Sequence, residues 1–361
     1  ITGQTVGKGK IQTENPIELT GNLGDQTPDN RLDELKIGGN LTLLSGASIF
    51  ASNLVIDGAY TLDAAEGGAL NITNLTFNDD GGVFSAGNNM FFGNIDFNNK
   101  NSTFSLSGGR ITGQLTSTGG TNGTLNVTSG GLVTGDINIK NIVVPAGGSL
   151  TAQGSIQADL IDLQGSGGIT ISNNATTKSS ISITSGRFEN IAGGNITGGV
   201  LFRAAAGTLS LGGNTIDGDI DFGGYNATIT FRNGAKINGN IEAITAGRAN
   251  IIAAANDAKG KADGTEAVAA VLNIDGISAE LQASIINAAN NAINPATLAL
   301  TPDITAQKAV ETATLAFTSN LGRVTFLGGA APGHVATING DIGANGAISN
   351  LQIGEGGYPN A

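Results

Sequence analysis

The chain has 361 residues, 57 of them Gly, no Cys, no Trp and a formal net charge of −12. That balance excludes a nucleic-acid partner, whose phosphates need clustered Lys and Arg, and a disulfide scaffold, and no apolar run is long enough to span a bilayer as a helix. At 39% hydrophobic residues it is too apolar for a disordered chain, and its Gly and Asn point to a fold rich in turns.

The opening Ile1-Thr-Gly-Gln-Thr-Val already reads as mid-repeat sequence, so the chain is expected to be a processed or excised piece of a longer protein. Short alternations of apolar and small polar residues predict strands at Gly9–Thr13 and Pro16–Thr20, followed by a polar loop from Asp25 to Asp33. From Gly39–Leu43 the turns become regular, passing through Asn53–Ile56 and Asn74–Phe77 to Gly93-Asn-Ile-Asp-Phe97. That unit continues through Ser102–Leu106 and restarts at Gly113-Gln-Leu115, then through Thr124–Val127 to restart at Gly135-Asp-Ile137. Phe77, Phe97 and Phe222 hold one position of the repeat and are expected to form an inward stack.

Beyond Gly135 the pattern runs through Gly148–Ala152, Gly154–Ile156, Ile169–Ser172 and Ile181–Thr184, with looser spacing before Gly218. The clearest copy follows: Gly218-Asp-Ile-Asp-Phe222, a turn, Ala227–Phe231, a second turn, and a restart at Gly239-Asn-Ile241, 21 residues on. A period near 20 is the mark of a solenoid, and it overrides the usual inference of domain number from length.

Residues 246–316 break the pattern, because Gly thins out, Ala rises and the apolar period moves toward 3.6. A helix is predicted from Ser278, with Leu281, Ile285, Ala289 and Ile293 on one face, between Gly276 and Pro295. Shorter helices are predicted from Thr265 to Leu272 and from Thr305 to Leu315. The strand pattern resumes at Leu321–Phe326, and Ile338-Asn-Gly-Asp-Ile342 copies Ile237-Asn-Gly-Asn-Ile241. The organisation expected is therefore a β-helix over 1–245, an Ala-rich helical insertion over 246–316, and the β-helix continued over 317–361. Insertions in solenoids tend to emerge on the binding side. Ser278, Glu280, Gln282, Asn287, Asn290 and Asn291 are thus candidate binding residues.

Two or three short strands per turn with Gly/Asn corners fit an all-β, parallel β-helix of about 14 turns, each strand pairing with its equivalent one turn on, roughly 4.8 Å away. Ile, Val, Leu and Phe then stack inward, and Gly and Asn hold the corners because they tolerate positive φ. A β-sandwich or jelly roll is the alternative, but antiparallel hairpins do not call for a recurring G-[ND]-I triplet in one register.

The residue types argue against catalysis. A nucleophile needs a paired base, Cys is absent, and the single His, His334, sits in the turn Ala330-Ala-Pro-Gly-His334. Polysaccharide hydrolases need converging carboxylates. Asp217, Asp219 and Asp221, alternating along a strand, are the best such set, with Asp79-Asp80 a second. Repeat grammar already explains the first set, since Asn94, Asp96, Asn240 and Glu242 hold equivalent positions. No catalytic, cofactor or metal residues are therefore assigned.

The G-N-I-D-F and G-D-I-D-F restarts at Gly93 and Gly218, in a chain rich in Asn, Gly and Thr, resemble the passenger domains of type V autotransporters. Within that group the chain looks most like the rickettsial surface cell antigens of the outer-membrane protein A and B kind. The resemblance covers the repeats but not the Ala-rich segment. It implies a right-handed coil, export to the bacterial cell surface and an outer-membrane barrel C-terminal to this chain. It further implies an adhesin that binds a protein or glycan of the host-cell surface. A structural coat formed by self-association is the alternative, and a polysaccharide-active enzyme or phage-type fibre a second.

Overall fold

The computed structural model describes residues 9–27, 30–64, 68–88, 90–172, 175–190, 194–204, 206–223, 225, 227–232, 235–242, 323–327, 337–342 and 350–355. These hold 31 short strands with parallel register and no helix, forming a β-solenoid of about 11 turns. The chain divides into two compact units, Ile1–Ser182 with Gly186–Thr197 and Ile183–Ser185 with Gly198–Ala361. The helices expected within 246–316 lie outside the described residues.

In the first unit like residues stack on like. One inward file runs Leu35, Leu54, Leu75, Ile95, Leu115, Ile137 and Ile156. A second runs Leu41, Leu62, Phe84, Phe104, Leu125, Ile142 and Ile161. Every member of both is at least 99% buried, as the alternation of apolar and polar residues requires of strands with one face inward. The strand Leu32–Ile37 begins inside the stretch expected to end its loop at Asp33, because Leu32 is needed to fill the core opposite Ala51.

Aromatic rings follow the same logic. Phe77 and Phe97 stack with centroids 5.1 Å apart and planes within 3°. Phe84 and Phe104 stack at 5.2 Å, and Phe92 meets both edge-on. Phe222 belongs to the second unit, where it stacks on Phe202 at 5.4 Å. The stack above Phe97 ends at Gly123, which lies against the ring face in a backbone with φ of +98°.

The restart glycines are required for a reason other than the expected positive φ. Gly93, Gly113, Gly135, Gly154 and Gly239 are absent from the left-handed positions, which other corners supply at Gly46, Gly81, Gly147 and elsewhere. They instead form a column in which backbone lies directly on backbone. A Cβ on Gly113 would fall against the carbonyl oxygen of Gly93, one on Gly135 against that of Gly113, and one on Gly154 against that of Gly135. All three approaches are closer than the 3.0 Å below which real Cβ atoms essentially never come. The second unit repeats the device with Gly218, Gly239 and Gly340.

The second unit also resolves the copied motif. Ile229 pairs with Val324, Ile237 with Ile338, and Ile241 bridges Ile342. The side chain of Asn339 donates to Asn238 Oδ1 at 2.9 Å, although 101 residues separate them. Glu242 pairs with Asp221 and Arg323 with Thr228, so the two stand on consecutive strands of one rung although 81 positions apart in sequence.

Outward polar groups tie the rungs together. Asn74 donates to Asn53 at 3.1 Å and Asn94 to Asn74 at 3.2 Å. Arg31 reaches over two rungs to the carbonyls of Ala51 and Asn71. Lys36 Nζ lies 2.6 Å from Asp57 Oδ2, and Asn78 donates to Asp57 Oδ1 at 2.9 Å. The Lys36 hydrogen bond and then that of Asn78 hold the Asp57 carboxyl below its ordinary 3.8. The same contact with Asp57 raises the Lys36 ammonium above 10.5. A lowered carboxyl stabilises the fold fully above its unfolded value, and that contribution is lost as pH falls from 3.8 through the native value. Asp57→Asn is therefore expected to lower Tm slightly at neutral pH. The gap to wild type should narrow as a series of thermal melts is carried below pH 3.8; the exposed setting keeps the effect small.

Candidate functional site

The carboxylates singled out from the sequence do not assemble into a reaction centre. Gly218 turns the chain between the strands Thr215–Asp217 and Ile220–Asp221, so Asp217, Asp219 and Asp221 do not lie along a single strand as expected. Each accepts a hydrogen bond of the repeat: Asp217 from the Asn238 side chain at 2.6 Å, Asp219 from the Asn240 backbone at 2.8 Å, and Asp221 from the Gly223 backbone at 2.7 Å. Asp80 likewise accepts from the Asn101 backbone at 2.7 Å. Among the described residues no group of three or more His, Asp or Glu could hold a metal ion. His334, Ser278, Glu280, Gln282, Asn287, Asn290 and Asn291 lie outside the described residues.

The feature that does stand out is a groove on the outer face of the first unit. Val133, Ala152, Ile171 and Asn190 are in register on one strand file. On the next file Ile137 pairs with Ile156, Ile156 N–H donates to the Thr176 carbonyl, and Thr177 pairs with Ile196. Three residues separate the files in the first two rungs, 134–136 and 153–155, but five in the next two, 172–176 and 191–195. A groove of about 500 Å³ lies over these four rungs.

Its corner side is Asp136, Ser155, Thr176 and Asn195. This side is largely spoken for: Asp136 accepts from the Ser155 N–H at 2.8 Å, and the Thr176 hydroxyl lies 3.2 Å from that of Ser155. Its open side is Asn138, Gln157, Lys178 and Thr197, which follow one another over four rungs and are all exposed. Alternation forces these four outward, because Ile137, Ile156 and Ile196 between the files must face the core. Their side chains make no hydrogen bond or ion pair with the described residues, in contrast to the Asn53–Asn74–Asn94 ladder on the neighbouring file.

The interior changes at the same level. Thr177 replaces the aliphatic residue of its file, and Asn190 that of the Ala152–Ile171 file. Both are at least 99% buried, with Thr177 Oγ1 and Asn190 Oδ1 unpartnered. Natural chains keep very few such atoms, since each costs about 1–3 kcal/mol. Thr177 stands at the level of the groove, but its side chain belongs to the inward file of Ile137, Ile156 and Ile196. The sequence carried a faint signal of this site, namely the looser spacing after Gly154, but reading it required the register.

Chemically, the open side offers two amides, one ammonium and one hydroxyl, which supply both donors and acceptors at about 4.8 Å intervals. It offers no nucleophile with a base, and no pair of carboxylates facing one another. No family model, curated protein or solved structure matches the chain.

Proposed function

We propose that the chain is the displayed part of a bacterial cell-surface adhesin of the autotransporter passenger type, which binds a protein or glycan of the host-cell surface. In this reading a C-terminal outer-membrane barrel of the same protein carries it to the outer face. The observation that supports it best is the file Asn138, Gln157, Lys178 and Thr197, four exposed polar side chains in a groove with no hydrogen-bond partner among the described residues, unlike the Asn53–Asn74–Asn94 ladder. Satisfied ladders hold a solenoid together. An unsatisfied file in a groove is available to something else. The G-N-I-D-F restarts and the absence of Cys fit the same role, because a scaffold without disulfides is one that can be exported and folded rung by rung.

The experiment is direct. Fluorescently tagged soluble chain added to cultured animal cells is expected to bind saturably, with competition by unlabelled chain. Binding that is absent or fails to saturate contradicts the reading. Ordered sheets formed by the purified chain at neutral pH, without cell binding, would support a structural coat in its place.

A further inference from the structure

We propose that the groove of the first unit is a glycan site, taking an extended, hydroxyl-rich sugar strand that lies across the rungs with about one sugar residue per rung. This deepens the adhesin reading and rests on it only for the source of the glycan.

Two observations carry it. First, the unpartnered side chains are neutral amides and a hydroxyl around one ammonium, in the order Asn138, Gln157, Lys178, Thr197. Such groups pair with sugar hydroxyls in either direction, donating or accepting as the ring presents itself. Second, they recur at the rung spacing of about 4.8 Å, comparable to the span of one pyranose residue, so a linear glycan meets equivalent groups along its length.

Other ligand classes fit less well. The strands' own N–H and C=O groups are used between rungs, so an added peptide strand has no edge to pair with here. A divalent cation would find one carboxylate, Asp136, which already accepts from Ser155. An apolar ligand would bury four unpaired polar side chains at a cost of about 1–3 kcal/mol each. Nucleic acid meets a chain of net charge −12 with one lysine in the groove.

The test uses the whole chain and two probes, chitohexaose as a neutral glycan and hyaluronan hexasaccharide as an acidic one, with binding read by titration calorimetry. At least one is expected to bind saturably, and Asn138→Ala with Gln157→Ala is expected to weaken that binding tenfold or more. An unchanged Tm of this double variant, whose side chains have no partners among the described residues, shows that folding is not the cause. Lys178→Met then separates the probes: a loss confined to hyaluronan shows that a carboxylate is read, and equal losses show hydroxyl recognition. Binding of neither hexasaccharide, or binding indifferent to the double variant, overturns the proposal. Cell binding by the double variant distinguishes the two readings. Undiminished cell binding without sugar binding removes the glycan site and leaves the adhesin, whereas sugar binding without cell binding does the reverse.

Discussion

Replacing Gly135 with alanine is expected to open the stack locally and to lower stability by about 3 kcal/mol or more. The new methyl would meet the Gly113 carbonyl oxygen, its carbon and the Gln114 nitrogen, all of them backbone atoms. No flexible side chain can swing aside, so relief requires the rungs to part. Parting them strains the hydrogen bonds from Leu115 N–H to the Asp136 carbonyl and from Ile137 N–H to the Ser155 carbonyl. Because each rung of a solenoid touches only its neighbours, the damage should stay near that level. Hydrogen exchange should show lost protection at Leu115, Ile137 and Ile156, with Leu35 and Leu54 unaffected. Gly130→Ala is the control, since a Cβ there meets nothing within 4 Å. Equal effects from the two substitutions would contradict the backbone-on-backbone explanation.

Phe104→Ala is expected to cost about 3–5 kcal/mol, the range for removing a fully buried aromatic side chain. Phe104 is 0% exposed and touches two other rings, Phe84 at 5.2 Å and Phe92 at 5.1 Å, so the cavity has no side open to water. Chemical denaturation should report the loss as a lowered midpoint. The ring contacts themselves add about 0.5–1.5 kcal/mol beyond area. A double-mutant cycle with Phe84→Ala should therefore show coupling, and strict additivity would mean that the rings pack independently.

The fold was legible because a solenoid writes its geometry in a repeated register. The triplet at Gly93, Gly113, Gly135 and Gly218 marks the level at which each rung restarts, and the second I-N-G-[ND]-I motif marks where the repeat resumes at Ile338. What the triplet did not disclose was its cause. Corner chemistry suggests positive φ, which Gly218 alone of these has, whereas Gly93, Gly113 and Gly135 are there because a Cβ would strike the carbonyl of the rung before. The aromatic files were legible in part. Phe77 and Phe97 follow from matching repeat positions, but Phe92 comes from a different strand file and meets the Phe84–Phe104 pair only in three dimensions.

The groove was hardly legible at all, since two extra residues at 172–176 look like noise until the flanking strands are placed in register. The aspartates at 217, 219 and 221 misled for the opposite reason. Their alternation continues through Gly218, where the strand itself does not.

The central claim is that successive coils lie directly on one another, so that residues remote in sequence meet by register alone. The most direct measurement pairs Asn238→Cys with Asn339→Cys in a chain that has no other cysteine. Adjacent parallel strands place such positions about 4.8 Å apart, within the reach of a disulfide. Mild oxidation is expected to give an intramolecular crosslink nearly quantitatively, read by peptide mapping without reductant. Two thiols that stay free under those conditions would contradict the stacked coil, and with it the groove and the function proposed for it.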